Sequence, residues 1–317
     1  MPAERQTETI DGHEVSLSKP DKVMYPDAGY TKADVVGYYR RIAPIILPHL
    51  RDRPVTRIRY PNGTGTRPFY EKNAPAGTPD WVRLATLSTP GSSKGRDTAD
   101  FPVVEDTATL VWLANLAALE LHTTQWMIGD DGETRRPDRL VADLDPGEHT
   151  GIEDCVEVAL LLRERLASDG LTAYAKSSGK KGLHICCPIS GEQSDGDVSA
   201  YAKALAKELE VERPELVTAN MLKKERDGKI FIDWSQNNAA KTTVAPYSLR
   251  GLGVPTVSAP MTWDEVEAVR ELRFTPDEVF ERVDEGGDLW EPMLERGPKV
   301  PEVEAPKRRK RAARPRS

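Results

Sequence analysis

Residues 139–145, with the sequence RLVADLD, are predicted to form a β-strand that ends on two acids. Successive side chains of a strand point to opposite faces, so Asp143 and Asp145 lie side by side on one face and Leu144 lies on the other. Pro146 ends the strand and places the acids at the edge of a sheet, near solvent. The fold must therefore contain a strand with one apolar face and one face that bears two neighbouring carboxylates.

Carboxylates this close repel each other, which raises the pKa of one of them unless a cation lies between them. Mg²⁺ or Mn²⁺ takes oxygen ligands and would relieve the repulsion, and two solvated acids at a strand end are the alternative. A third acid, Asp233, interrupts the apolar, strand-forming run KIFIDW at residues 229–234. Because an unpaired buried charge is costly, Asp233 needs either a metal shared with the first two acids or a salt bridge to Lys229 or Arg226.

A glycine-containing loop, SSGKKG at residues 177–182, is predicted to join two strands. Its glycines let backbone N–H groups approach a ligand, while Ser178 and Lys181 offer a hydroxyl and a positive charge to phosphate oxygens. His184 begins the next strand, within reach of a phosphate or a metal. The residue order of a Walker A loop is absent, and a strand follows instead of a helix. An ordinary hairpin with solvated lysines and a buried structural histidine is the alternative.

The three acids, this loop and a distant arginine, Arg250, together fit one kind of chemistry. Three carboxylates can hold two divalent ions about 3.5–4 Å apart, one on an attacking oxygen and one on a leaving oxygen. The loop and Arg250 could then hold a triphosphate, in a reaction that depends mainly on positioning and charge neutralisation. The pattern indicates phosphoryl or nucleotidyl transfer.

Helices and strands alternate along the chain, which indicates an α/β or α+β domain. Helices are predicted from Thr31 to about His49, from Asp106 to about Glu120, at 152–168 and 197–210, and from the capping residues Thr262 and Thr275. Strands are predicted at 54–60, 139–145, 172–176, 183–189 and 229–234. We expect a flexible segment at 1–18, one catalytic domain at 19–296, a flexible loop at 88–100 and a disordered, basic, proline-rich tail at 297–317.

The distribution of charge is uneven. The 317 residues carry a net charge of −7, yet residues 307–317 hold seven basic residues and no acidic one. Without that tail, 37 basic residues oppose 51 acidic ones, which argues against a protein that coats nucleic acid with its whole surface. Basic residues are concentrated at 51–96 and 219–250 and acidic residues at 264–296, so one face can still be basic.

No apolar run is long enough to span a membrane, and the N-terminus lacks the apolar stretch of a secretory signal. The three cysteines, two of them adjacent, fit neither a disulfide framework nor the ligand spacing of a zinc site. The sequence therefore predicts a protein of the reducing cytoplasm that does not bind membranes.

Several segments, in order along the chain, resemble the polymerase domain of bacterial ligase D, an end-joining repair enzyme of the archaeo-eukaryotic primase superfamily. The resemblance runs from about Lys19 to Leu294. The segments that carry it include SKPDKVMYP, RPVTRIRYPNG, PFYEK, LELHTTQW, DLDP, SSGKKGLHI, IFIDWSQNNAAKTTVAPYSLRG and APMTWDE. It implies a primase-like catalytic domain in which a mixed sheet is flanked by helices.

The resemblance also implies roles for matching residues at the reaction centre. Asp143, Asp145 and Asp233 match the catalytic acids that bind metal. The positions that match residues around the incoming nucleotide are His122, Ser178, Lys181, His184, Gln236 and Arg250. Ile58 departs from the family, which often has a lysine there, so Arg59 or Arg57 is expected to take over that contact.

A further set of matching residues implies contacts with DNA. Lys22 and Lys32 match a pair that grips the 5′-phosphate on the downstream side of a gap, although by themselves they read as ordinary surface lysines. Phe69 and Tyr70 match an aromatic pair that stacks on bases, with core packing as the alternative. Arg226 matches a residue in a loop near the active site.

The function implied is template-directed addition of nucleotides, with ribonucleotides preferred, at DNA gaps or broken ends. Its cofactors would be two Mg²⁺ or Mn²⁺ ions and its substrates nucleoside triphosphates. The K-x-D-G motif of DNA ligases is absent, so the chain is interpreted as a stand-alone, monomeric polymerase of the nucleoid. Its partners would be a separately encoded DNA ligase and the end-binding protein Ku. A DNA-end binding module without catalysis and a metal-dependent phosphoesterase are the alternatives, and the presence of all three acids argues against the former.

Overall fold

The structure, a computed structural model, describes residues 5–89 and 97–303. The predicted tail at 307–317 and part of the predicted loop at 88–100 lie outside these residues. The helices are α1 (Lys32–Leu50), α2 (Thr107–Asn115), α3 (Ile152–Ser168), α4 (Asp195–Glu212), α5 (Trp263–Ala268) and α6 (Pro276–Gly286). The strands are β1 (Arg5–Ile10), β2 (His13–Ser18), β3 (Val23–Tyr25), β4 (Tyr30–Thr31), β5 (Val55–Arg59), β6 (Phe69–Glu71), β7 (Leu84–Ser88), β8 (Thr98–Pro102), β9 (Ala118–Thr123), β10 (Arg139–Pro146), β11 (Tyr174–Ser177), β12 (Leu183–Pro188), β13 (Val217–Thr218), β14 (Ile230–Asp233), β15 (Thr243–Val244), β16 (Leu249–Gly251), β17 (Pro255–Val257) and β18 (Pro260–Met261).

The central sheet has the strand order β13-β14-β10-β12-β11-β18, and each neighbouring pair is antiparallel except the parallel pair β13 and β14. Leu140, Ala142 and Leu144 of β10 face a core that includes apolar residues of α3 and α4. Between them, Val141 and Asp143 point to the opposite face, where Val141 joins a second core. This mixed sheet flanked by helices confirms the predicted fold class.

The second sheet is antiparallel throughout and has the order β15-β9-β5-β6. It shares the second core with α1 and α2, which pack against each other. Helix α1 begins where predicted, because the Thr31 hydroxyl accepts from the Asp34 N–H and the Asp34 carboxylate accepts from the Thr31 N–H. Among the described residues, no helix combines the length and the apolarity that a membrane crossing requires.

The N-terminal segment differs from the prediction, since residues 5–18 form a β-hairpin and are not a flexible stretch. Strands β1 and β2 pair around a turn at Asp11 and Gly12, both with positive φ. Val15 is buried beneath the hairpin, and the Asn115 side chain binds the backbone of Ser16 and Ser18. The Asp-Gly turn was the available signal, but the flanking strands are mainly polar and gave little hydrophobic alternation.

The predicted helix from Asp106 to about Glu120 was too long. Helix α2 ends at Asn115, the chain reverses at Ala117 with a φ of 61°, and β9 then begins at Ala118. Apolar side chains are buried along both α2 and β9, so the sequence reads as one apolar run without a change of period.

The start of the predicted disordered tail is fixed on the body of the protein. Val300 is buried, and the Gln193 side chain exchanges two hydrogen bonds with the Val300 backbone. The Ser190 N–H donates to the Pro298 carbonyl. Residues 297–303 therefore lie against the segment that follows β12, at the end of the sheet opposite the acids.

Candidate active site

Strand register brings the three predicted acids together. In β10, Asp143 lies opposite Asp233 of β14 on one side and opposite His184 of β12 on the other. Asp145 is two residues farther along the same face. Asp143, Asp145 and Asp233 each offer a carboxylate oxygen within 4.8 Å of the other two.

The three carboxylates differ in their electrostatic surroundings. Burial disfavours the charged form of Asp143, but His184, whose Nε2 lies 3.3 Å from Asp143 Oδ1, lowers the pKa of Asp143 below its ordinary value. Burial and the charges of Asp143 and Asp233 raise the pKa of Asp145 to about 7. The cluster thus carries more negative charge than its surroundings neutralise, which is the condition that a bound cation relieves.

The neighbouring side chains hold these oxygens in place. The Ser235 hydroxyl donates to Asp233 Oδ1 at 2.6 Å, and Gln236 Nε2 donates to Asp233 Oδ2 at 3.1 Å and to Asp143 Oδ2 at 3.3 Å. A set of oriented, oxygen-only ligands suits a hard divalent cation such as Mg²⁺ or Mn²⁺. The residues present therefore fit a divalent metal.

A cavity of about 400 Å³ opens over the acids, between the central and second sheets. The predicted residues that line it, besides Asp143 and Asp145, are His122, Ser178, Lys181, His184, Gln236 and Arg250. The structure thus brings these predicted residues from five separate stretches of sequence to one site.

The loop between β11 and β12 forms one wall of this cavity. The Ser178 hydroxyl accepts from the N–H groups of Lys180 and Gly182, at 3.2 and 3.1 Å, and so fixes the turn. A Cβ at Gly182 would lie 1.9 Å from the Leu144 carbonyl oxygen, so only glycine lets the loop lie directly against β10. Lys181 is exposed at the cavity, where its ammonium group can meet an anion.

The basic lining beside this loop depends on Glu120, a residue that the sequence analysis missed. Glu120 Oε2 accepts from His122 Nε2 at 2.9 Å and lies 3.3 Å from Arg250 Nε. Arg250 in turn donates from Nη1 to the Ser178 carbonyl at 2.8 Å. Despite burial, His122 and Arg250 hold the pKa of Glu120 far below its ordinary value. The available signal was a single acid within the buried strand ALELHT. The same kind of signal, one acid in an apolar strand, pointed to Asp233.

Two further cations near the acids were also missed. Lys176 is buried on the acid-bearing face next to His184, its ammonium donates to Ser258 Oγ at 2.7 Å, and burial lowers its pKa to about 7. Arg273 lines the cavity although it belongs to the region 264–296, in which acidic residues predominate.

Lys22 and Lys32 lie apart from the cavity and close to each other. The Lys32 ammonium donates to the Ser18 carbonyl at 2.7 Å, and the Lys22 ammonium donates to the Pro61 carbonyl. Within residues 5–89 and 97–303, neither lysine pairs with a carboxylate. Burial and the charges of Lys22, Lys19 and Arg59 lower the pKa of Lys32 to about 8. We call these four residues the lysine cluster.

The structure does not bring Arg59 or Arg57 to the cavity. Arg59 donates to both carboxylate oxygens of Glu71, at 3.1 and 3.0 Å, and contributes its charge to the lysine cluster. Arg57 is fully buried, where it donates to the Asn73 carbonyl at 2.7 Å. Neither arginine lines the cavity, and the expectation that one of them contacts the nucleotide stays a prediction.

Phe69 and Tyr70 lie on the edge strand β6 and are 55% and 68% exposed, so the core-packing alternative is wrong. Arg226 stacks on the ring of Phe231, with its guanidinium carbon 3.6 Å from the ring centroid. Since Phe231 lies opposite Asp145 in the sheet, Arg226 adds positive charge beside the acids and acts to lower the pKa of Asp145.

Comparisons with known proteins agree with this geometry. The family described as LigD, primase-polymerase domain, matches residues 31–290. The multifunctional non-homologous end joining protein LigD of Mycolicibacterium smegmatis is 44% identical over 281 residues, which cover 88% of this chain and 36% of that protein. The bifunctional LigD of Bacillus subtilis is 35% identical over 269 residues, 84% of this chain and 42% of that protein. The chain thus spans well under half the length of these relatives.

A solved structure covers nearly the same extent as this chain. The polymerase domain of Mycobacterium tuberculosis ligase D, determined in complex with DNA, aligns with a TM-score of 0.83 and 40% identity, over 88% of this chain and 98% of that one. The resemblance read from the sequence motifs is therefore confirmed. The chain belongs to the family of LigD primase-polymerase domains, which are nucleotidyltransferases of DNA repair.

Proposed function

We propose that this protein is a template-directed polymerase that adds nucleotides at DNA gaps or broken ends during end joining. The observation that carries the proposal is a cluster of three carboxylates, two of which line one cavity together with Ser178, Lys181 and Arg250. The acids suit a divalent metal, and Ser178, Lys181 and Arg250 suit a polyanion. Nucleotidyl transfer to a 3′-OH needs both groups side by side.

In this mechanism Asp143, Asp145 and Asp233 would hold two Mg²⁺ or Mn²⁺ ions, which supply charge neutralisation for the attacking and leaving oxygens. Gln236 and Ser235 keep the carboxylates in orientation. The Ser178 loop and Arg250 hold the triphosphate of the incoming nucleotide in line with the primer end. The chain thereby contributes chiefly positioning, which is what phosphoryl transfer requires of a protein.

For DNA, the lysine cluster would bind the 5′-phosphate at the far side of a gap. Within the described residues, Lys22 and Lys32 meet neutral oxygen atoms and no carboxylate, so a phosphate would relieve their mutual repulsion. Phe69 and Tyr70 would stack on template bases from their exposed edge strand, because every base presents an apolar face to an aromatic ring.

We further propose that ribonucleotides are preferred and that the protein acts as a monomer on nucleoid DNA, together with a DNA ligase and Ku. The relatives named above are end-joining proteins, and this supports the assignment to that process. The ribonucleotide preference comes from the family resemblance alone.

A single assay tests the proposal. The protein would be incubated with a gapped, 5′-phosphorylated duplex, Mn²⁺ or Mg²⁺, and labelled ribo- or deoxyribonucleotides, and the primer strand resolved on a gel. We expect longer primers, with ribonucleotides incorporated faster. Unchanged primer with intact DNA binding would instead identify a DNA-end binding module, and shortened primer would identify a phosphoesterase.

A further inference from the structure

Glu120 is an unusual residue to find beside a cavity suited to a polyanion. It is fully buried in β9, and its carboxylate contacts side chains that line the cavity. A carboxylate repels a triphosphate, and burying one without partners is strongly unfavourable. Favourable interactions of Glu120 must therefore outweigh both effects.

The contacts of Glu120 supply one. Oε1 accepts from the Tyr60 hydroxyl at 3.2 Å and the Gly251 N–H at 3.0 Å, and Oε2 accepts from His122, so both oxygens of the carboxylate are fixed. Oε1 also lies 3.8 Å from Lys180 Nζ, while Oε2 contacts His122 and Arg250. One carboxylate thus connects three basic side chains that line the cavity and come from β9, β16 and the Ser178 loop.

Without this carboxylate Lys180 and Arg250 would repel each other, and His122 would lose its hydrogen-bond acceptor. Arg250 acts to lower the pKa of both Lys180 and His122, whereas Glu120 acts to raise them. Arg250 also donates a hydrogen bond to the Ser178 carbonyl, so a change in the position of the Arg250 side chain would move the loop. The negative charge therefore keeps the cationic wall assembled when no nucleotide is present.

We propose that Glu120 is a positioning residue that preorganises His122, Lys180 and Arg250 for the triphosphate of the incoming nucleotide. This inference rests on the proposed nucleotidyl transfer and assigns Glu120 to its substrate-binding step. Preorganised donors bind a ligand more tightly because their ordering cost has been met during folding. Glu120 would act through the three basic residues and would not contact the substrate.

The test compares Glu120→Gln with a matched control, Asp288→Asn. Asp288 is a partly buried carboxylate that, like Glu120, lies between a histidine and a tyrosine: it contacts His49 Nε2 at 2.7 Å and the Tyr247 hydroxyl at 2.6 Å. None of these three residues lines the cavity. Both substitutions keep the side-chain size and remove one buried negative charge.

Primer extension on gapped DNA and ATP binding by the DNA-free protein with Mn²⁺ would be measured alongside thermal unfolding. For Glu120→Gln we expect KM for the nucleotide and Kd for ATP to rise about tenfold or more, with kcat changed less. For Asp288→Asn we expect a lower unfolding midpoint and wild-type KM. If Glu120→Gln lowers the midpoint but leaves KM and Kd within about twofold of wild type, the proposal is wrong.

A double variant distinguishes positioning from general structural support. If Glu120 acts mainly through Arg250, adding Glu120→Gln to Arg250→Ala should weaken ATP binding by no more than about twofold beyond Arg250→Ala alone. Full additivity would contradict the proposal. Should Glu120→Gln fail to fold, Glu120→Asp provides a second variant, in which the charge is kept but the side chain is shorter by one methylene. A wild-type KM for the nucleotide in Glu120→Asp would likewise contradict the proposal.

The two proposals can fail separately. Wild-type protein that binds ATP but does not extend a primer would remove the polymerase assignment, while the ATP titrations would still test Glu120. Wild-type extension together with unaltered nucleotide affinity in Glu120→Gln would remove only the role of Glu120.

Discussion

The cavity and the lysine cluster are both basic, but they are built in different ways. In the cavity, His122, Lys180 and Arg250 each contact Glu120, and His184 contacts Asp143. In the lysine cluster, Arg59 is paired with Glu71, whereas Lys22 and Lys32 donate to neutral oxygen atoms and, among the described residues, pair with no carboxylate. The four basic side chains of the cavity named here thus have carboxylate partners before any ligand binds, and these two lysines do not.

This difference separates two tasks. A balanced network keeps its geometry without a ligand, which is what positioning for a chemical step demands. A cluster of cations without carboxylate partners becomes more stable when an anion binds, so it can serve to recognise that anion. Under the proposed function, the cavity would perform the chemistry and the lysine cluster would recognise the DNA end. The following experiments test that division, in order of expected effect.

Replacing Asp143 by alanine should remove activity and spare DNA binding. The variant loses the carboxylate that lies between Asp233 and His184, and we expect primer extension to fall by at least about 10²–10³-fold, the scale seen when one preorganised electrostatic group is removed. Affinity for gapped DNA, measured by fluorescence anisotropy, should remain as in the wild type. Full extension by the variant would disprove the catalytic role of the acids.

Lys181→Ala should weaken nucleotide binding without changing the recognition of DNA ends. Because Lys181 is exposed at the cavity and offers a charge-assisted hydrogen bond, its loss should raise KM for the nucleotide about tenfold or more. Lys207, exposed on α4 behind the sheet, provides the matched control, and Lys207→Ala should keep the wild-type KM. Equal KM values for both variants would remove Lys181 from the nucleotide site.

Lys32→Met should abolish the preference for a 5′-phosphate. Methionine keeps most of the buried stem and removes the charge, so affinity for 5′-phosphorylated gapped DNA should fall about tenfold to the level of the unphosphorylated duplex. Extension of a primer on DNA without the 5′-phosphate should be unaffected. A variant that still discriminates between the two duplexes would show that the lysine cluster is not the phosphate site.

The same preference should weaken in alkaline solution. Lys32 is charged below its pKa of about 8 and becomes neutral above it. A bound phosphate favours the charged amine, so binding takes up a proton once the pH exceeds that value, and affinity falls as the pH rises. The affinity ratio of the two duplexes, measured from about pH 7 to about pH 9, should decline several-fold in the wild type and stay flat in Lys32→Met. A constant ratio in the wild type would contradict this.

Removing residues 307–317 should have the smallest effect. The seven basic residues of this segment can add sequence-independent phosphate contacts, so the truncated protein should show a shallower dependence of DNA affinity on salt concentration. Its preference for the 5′-phosphate should be kept, because the lysine cluster is intact. An unchanged salt slope would show that the tail does not contact DNA.

The sequence predicted well what depends on local alternation and poorly what depends on distant partners. Asp143 and Asp145 follow from the two-residue period of a strand, and their common face with Asp233 is present in the structure. Glu120 was missed because its importance lies in contacts with residues up to 131 positions away, such as Gly251. Arg59 was assigned to the nucleotide from the family resemblance, whereas in the structure its side chain pairs with Glu71 on the neighbouring strand.

The same limit explains the errors in the fold. The boundary between α2 and β9 is a single reversal at Ala117, and burial of both flanking elements leaves no change in hydrophobic pattern to mark it. The hairpin at residues 5–18 is stabilised by Asn115, about a hundred residues away. In both places tertiary packing decides the local conformation.

The register of β10 between β12 and β14 limits how this protein can change over evolutionary time. Inserting or deleting one residue in any of these strands would turn its acid or histidine into the apolar core and bring a leucine or isoleucine into the cavity. Such a change would damage folding and catalysis in one step, with no viable intermediate. Divergence among descendants is therefore confined to substitutions and to loop lengths. A lineage can acquire new templates or nucleotides while the spacing of its carboxylates is inherited unchanged.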